Sequence, residues 1–80
     1  MLTGIREAKV TRNPEGIIQR VRLVFGPHYF AELRLKEGNG VEFVLGATQH
    51  GFRADASEVN GELEKIIYGV REEHPDRLVD

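Results

Sequence analysis

Between Asp55 and His74 lies the one stretch of this chain whose apolar residues recur at helical spacing. Val59, Leu63, Ile66, Ile67 and Val70 follow the i, i+4, i+7, i+8, i+11 pattern, which gathers them into a single wide stripe. Asp55 is a good N-cap, and Glu58 three residues later completes a capping-box pattern. Ala54 and Val59 hold the two positions of a hydrophobic staple. Pro75 ends the helix, because it disfavours helical geometry at His74 and has no N–H to donate. Gly61 and Gly69 each cost about 0.8–1.0 kcal/mol relative to alanine in a helix interior. Such a helix depends on the apolar surface it covers, and everything before it reads as short strands that need covering.

Eighty residues leave no room for two independent cores, so the chain is read as one domain over 1–80, with 1–4 and 75–80 as loose termini. Hydrophobic residues make up 40% and charged residues 30%, a globular rather than a disordered balance. Cysteine is absent, which excludes disulfides and thiolate metal sites. A core this small has little stability to spare, so a second copy of the chain is the expected supplement. The first residues lack the basic and apolar regions of a signal peptide. No apolar run approaches the ~20 residues that cross a bilayer. The expectation is a soluble, cytoplasmic protein with no membrane partner. The net charge of −2 hides an asymmetry. Residues 1–53 carry eight Lys/Arg against five Asp/Glu, net +3, and residues 54–80 carry three against eight, net −5.

In the strand half, Ala8 and Val10 share a face within residues 5–12, while Ile5 is out of phase, as a bulge or a late strand start would make it. Asn13-Pro14-Glu15-Gly16 has the composition of a type I turn. From Ile17 to Phe25 the chain alternates, with Ile17, Val21, Leu23 and Phe25 inward and Ile18, Arg20, Arg22 and Val24 outward. After Gly26-Pro27-His28, the next strand points Tyr29, Ala31, Leu33 and Leu35 inward. A glycine-rich turn at 36–40 leads to a fourth strand, Val41 to Ala47, with Val41, Phe43, Leu45 and Ala47 inward. Pairing tests this register. Leu23 then meets Ala31, Val21 meets Leu33, Leu33 meets Phe43 and Leu35 meets Val41, while Arg22 faces Glu32 and Arg34 faces Glu42. One misfit remains, Arg20 opposite Arg34. Residues 46–54 show no periodicity and read as a connection. The expected fold is therefore α+β: a four-stranded antiparallel meander with one C-terminal helix packed on one face, in the order ββββα.

A lone helix covers one side of four strands and leaves the other open. That open face would carry Arg20, Arg22, Arg34 and Phe30 among Glu32, Glu42, Val24 and Val44. These residues suit a solvated face, a dimer contact or a single-stranded nucleic-acid platform, with arginines on phosphates and Phe30 stacking a base. At the level of element order alone, four strands and a helix with basic residues on the open face resemble the dimeric single-strand-binding domain of a class of transcriptional coactivators. No motif of that class is present.

A second candidate lies in the connection Thr48–Arg53, where His50 and Arg53 approach a helix N-terminus suited to anions. Asp55 already supplies negative charge there, and Phe52 is expected to plug the end of the core. Catalytic machinery is not indicated. His28, His50 and His74 lack ligand spacing, Ser57 belongs to the helix's first turn, and Glu72 and Glu73 project in different directions. No glycine-rich turn matches a phosphate loop or a dinucleotide fingerprint. The reading is a non-enzymatic, homodimeric binding or interaction module without cofactor or metal, with single-stranded nucleic-acid binding as the alternative. Its interface would be the open sheet face, an edge strand, or the back of the helix around Gly61 and Tyr68.

Overall fold

The computed structural model describes residues 4–27 and 29–80. His28 and the loose residues 1–3 expected from the sequence lie outside the described residues. Strands β1 (Glu7–Arg12), β2 (Ile18–Val24), β3 (Phe30–Lys36), β4 (Gly40–Leu45) and β5 (Thr48–Arg53) precede helix α1 (Ala56–Glu73). A 3-10 turn (Pro75–Arg77) and a short strand β6 (Leu78–Val79) follow. The molecule is thus α+β, with one helix on a mixed six-stranded sheet in the order β5-β4-β3-β2-β1-β6. Strands β1 to β5 form an antiparallel meander, and β6 adds in parallel beside β1.

The register read from side-chain matching is the observed one. Arg22 pairs with Glu32, Leu23 with Ala31 and Val21 with Leu33. Leu33 pairs with Phe43, Arg34 with Glu42 and Leu35 with Val41. The turn at 13–16 is fastened by Asn13, whose Oδ1 accepts from the amides of Glu15 and Ile17, both at 2.9 Å. Ile5 precedes β1 and is fully buried against Ala8 and Val70, so the strand starts late.

Four expectations fail for identifiable reasons. Ile18, assigned outward, is 0% exposed, and Ile17, assigned inward, is 43% exposed. The register shifts between Thr11 and Arg12, so that Thr11 pairs with Arg20 but Arg12 with Ile18. The extra residue is Gln19, and a bulge reverses the alternation on one side of it. The helix secures this kink, since Asn60 Nδ2 donates to the Ile18 carbonyl at 3.1 Å. Secondly, residues 48–53 are a strand rather than an irregular connection. The fourth strand stops at Leu45, and Gly46-Ala47 form a two-residue hairpin turn. Gly46 takes φ +59°, the positive value that a twist-matched hairpin turn needs at its first central position.

Thirdly, residues 75–80 are not a loose tail. Asp80 accepts from Arg12 Nε at 2.8 Å and from Arg71 at 2.9 Å. Arg77 donates to the Ile5 carbonyl at 2.6 Å. Arg12 also reaches Glu64 at 2.9 Å and the Gly16 carbonyl at 3.0 Å. One guanidinium thus joins β1, the first turn, α1 and the C-terminal segment.

The fourth correction concerns the place of the helix. Leu63 and Ile67 pack on Val10, Ile18 and Val21, and Val70 packs on Ile5 and Ala8. Leu78 adjoins both clusters. The helix therefore lies over β6, β1 and β2 rather than over strands two to four. Asp55 caps it as expected, accepting from the amides of Ser57 at 2.8 Å and Glu58 at 3.2 Å. Beyond β2 the cover thins: Val41 is still buried and Leu33 and Leu35 pack against the main cluster, but the rest of the inward face of β4 and β5 opens to solvent. Leu33 and Phe43 are half-buried, Leu45 is 53% exposed and Phe52 is 50% exposed. Phe25 and Tyr29, expected inside, lie between β2 and β3 and are exposed.

Candidate interaction surfaces

Strand pairing sets Arg20, Arg22, Phe30 and Arg34 on one sheet face, opposite α1. Glu32 lies among them and is only 3% exposed, although no helix covers it. Arg34 Nε donates to Glu32, and Arg34 Nη1 donates to Glu42 at 2.6 Å. Arg20 Nε stands 3.8 Å from the other Glu32 oxygen. The apparent conflict of Arg20 facing Arg34 is resolved by this carboxylate, which both arginines share. Hydrogen bonding to Glu32 raises the Arg34 pKa above its ordinary value. Arg22 lies over the Phe30 ring at 4.3 Å from its centroid, a cation–π contact that covers the ring face. Arg34 is thus held by two carboxylates, Arg20 meets Glu32 at longer range, and Arg22 packs on Phe30.

By the same alternation Lys9, Lys36 and Arg53 join this face, as does Glu7. Six cations there stand against Glu7, Glu32 and Glu42. The acidic residues of 54–80 belong to the helical side, so the two sides of the sheet carry opposite charge.

His50 and Arg53 do not form one site. They are three residues apart on an extended strand, so they point to opposite faces. His50 pairs with Phe43 on the inward side, and Arg53 Nη2 donates to the Gly38 carbonyl at 2.8 Å. The helix N-terminus that they were to complement is satisfied by Asp55. On the back of the helix, Tyr68 is exposed and Gly61 faces open space. Among the described residues, no group of three or more His, Cys, Asp or Glu is placed to hold a metal ion. No described helix is long and apolar enough to cross a membrane.

The surface that sequence reasoning missed is the side of the sheet formed by β3, β4 and β5. An open apolar groove runs there between sheet and helix, lined by Leu23, Ala31, Leu33, Phe43, Leu63 and Ile66. Next to it, β5 is exposed along its whole length and forms one edge of the sheet. The opposite edge, β6, is only two residues long, and brevity itself protects an edge. Strand β5 has six residues, no proline, and a single charge whose side chain is drawn back onto Gly38. The signal that marks this strand in the sequence is Gly46, since a glycine followed by one residue after an alternating run is a hairpin signature. No protein-family model, curated protein or solved structure matches the chain.

Proposed function

We propose that this protein is a homodimeric binding or interaction module that acts without chemistry of its own and meets its second copy on the β3–β5 side. The observation that carries this reading is the position of the helix. It centres on β6, β1 and β2 and leaves Leu45 and Phe52 half in water beside a bare edge. Sedimentation equilibrium at micromolar concentration is expected to give twice the 9.0 kDa chain mass. A constant 9.0 kDa species up to high micromolar concentration would remove the proposal.

A second reading, single-stranded nucleic-acid binding, is favoured by the six cations against three carboxylates on the outer face. Labelled oligonucleotides titrated at two salt concentrations are expected to bind more weakly at the higher salt. The double substitution Arg20→Ala with Arg22→Ala is expected to weaken binding at either salt. No binding at low salt, or binding indifferent to that substitution, sinks this reading.

A further inference from the structure

We infer that two copies join edge to edge through β5, antiparallel, about a two-fold axis at Gly51, giving one continuous twelve-stranded sheet. The inference rests on the homodimer proposed above and specifies its interface. It follows from backbone hydrogen-bond phase. Ala54 N–H donates to the Asn39 carbonyl at 2.9 Å, so this pair is hydrogen-bonded across the β4–β5 hairpin. In an antiparallel pair, hydrogen-bonded and non-hydrogen-bonded positions alternate. With Phe52 opposite Val41, His50 opposite Phe43 and Thr48 opposite Leu45, these three residues turn their N–H and C=O groups toward β4. Gln49, Gly51 and Arg53 therefore turn theirs outward, off the edge.

A two-fold axis fixes which residues can meet. In-plane antiparallel pairing sets opposite side chains on the same face. With the axis at Gly51, Gly51 meets its own copy and Gln49 meets the partner's Arg53, in both directions. Every outward group on the edge is then used, giving six backbone hydrogen bonds. With the axis at His50, only Gln49 and Gly51 exchange bonds, for four in total, and Arg53 is left over. The Gly51 register also sets Phe52 beside the partner's His50 on the inward face. The two Phe52 residues become diagonal neighbours, at positions about 7–8 Å apart and within reach of aromatic side chains. No like charges meet.

The register also suits the glycine at its centre. Gly51 does not adopt positive φ, and a Cβ there would meet nothing nearer than the Val41 carbonyl at 3.9 Å, an ordinary contact. Nothing inside the chain requires glycine at the middle of this strand, where it weakens the strand for want of a side chain. On the proposed axis the two Gly51 residues face each other, and with no side chains of their own they leave the outer face at the axis clear for Gln49 and the partner's Arg53 to meet.

Two kinds of variant test the pairing. The Gly51 and Gln49 N–H groups face away from β4, so Gly51→Pro and Gln49→Pro keep the monomer's own ladder and remove donors only from the edge. Both are expected to sediment at 9.0 kDa while retaining the wild-type circular dichroism. The chain has no cysteine, so Gly51→Cys places a unique thiol on the axis. The ~5.5 Å Cα separation of a hydrogen-bonded pair lies within disulfide range. Mild oxidation with diamide is expected to convert this variant to covalent dimer, and to leave Glu62→Cys, on the exposed helix surface, monomeric under denaturing conditions. If the wild type is dimeric but the folded proline variants stay dimeric, or Gly51→Cys fails to cross-link, the β5 pairing is overturned while self-association stands. If the wild type is monomeric, both fall.

Discussion

Replacing Ile18 with alanine is expected to destabilise the protein by about 2–5 kcal/mol, the usual range for truncating a fully buried isoleucine. The same change at Ile17 is expected to cost under ~1 kcal/mol, as exposed positions do. The two residues are neighbours of identical type, so the comparison isolates position from chemistry. Ile18 is 0% exposed and joins Val10, Val21, Leu63 and Ile67 in the main cluster, while Ile17 is 43% exposed. The loss at Ile18 is a large fraction of the whole stability of an 80-residue domain, about 4–12 kcal/mol. Each kcal/mol lowers the thermal midpoint by about 4–8 °C at this size. Urea denaturation of the two variants checks the assignment. Equal losses at the two positions would mean that the bulge at Gln19 does not exist.

Arg12→Ala is expected to cost about 2 kcal/mol, more than the 0–1 kcal/mol of an exposed ion pair. Arg12 is three-quarters enclosed and holds Asp80, Glu64 and the Gly16 carbonyl at once, and hydrogen bonds to charged groups are the stronger ones. Its loss leaves Asp80 to Arg71 alone and removes the link between the first turn and the helix. The cost should depend on pH with a definite sign. The hydrogen bond from Arg12 is the main cause that lowers the Asp80 pKa below its ordinary value, against a smaller opposing cost of burial. A carboxyl lowered on folding contributes stability above its unfolded pKa, about 3.9, and loses it as pH falls through the lowered value. The difference between wild type and Arg12→Ala, measured by urea denaturation, is therefore expected to hold from neutral pH to about pH 4 and to shrink below it. A difference that grows on acidification would contradict the role given to Asp80.

The hairpins from β2 to β4 were legible because their residues carry the answer twice. Leu33 must face Val21 and Phe43 to stay dry, and the same register sets Arg22 against Glu32 and Arg34 against Glu42. Strand β5 was not legible, because neither of its faces is buried. Thr48-Gln49-His50-Gly51-Phe52-Arg53 has no alternation because no layer of the chain packs on either of its faces. Strand β6 is too short for any periodicity to show in Leu78-Val79. The amphipathic stripe of the helix was plain, but a stripe does not reveal which strands lie beneath it. That depended on β6, which widens the sheet beyond β1 and draws Leu63, Ile67 and Val70 toward that end. Of the candidate site residues, the outer-face set is gathered as expected because strand alternation alone places it. His50 and Arg53 are separated because their segment is extended rather than looped.

The parallel β1–β6 pair has a consequence for how the sheet is held closed. Every other neighbouring strand pair is joined by a connection of two to five residues, whereas Ala8 and Leu78 are seventy positions apart. The chain-entropy cost of closing a loop grows with the logarithm of its length, so this closure costs roughly 2 kcal/mol more than a tight hairpin. No turn tethers β6 to β1. Arg12 gripping Asp80 and Arg77 gripping the Ile5 carbonyl perform for that strand the tethering that connecting loops perform for the rest.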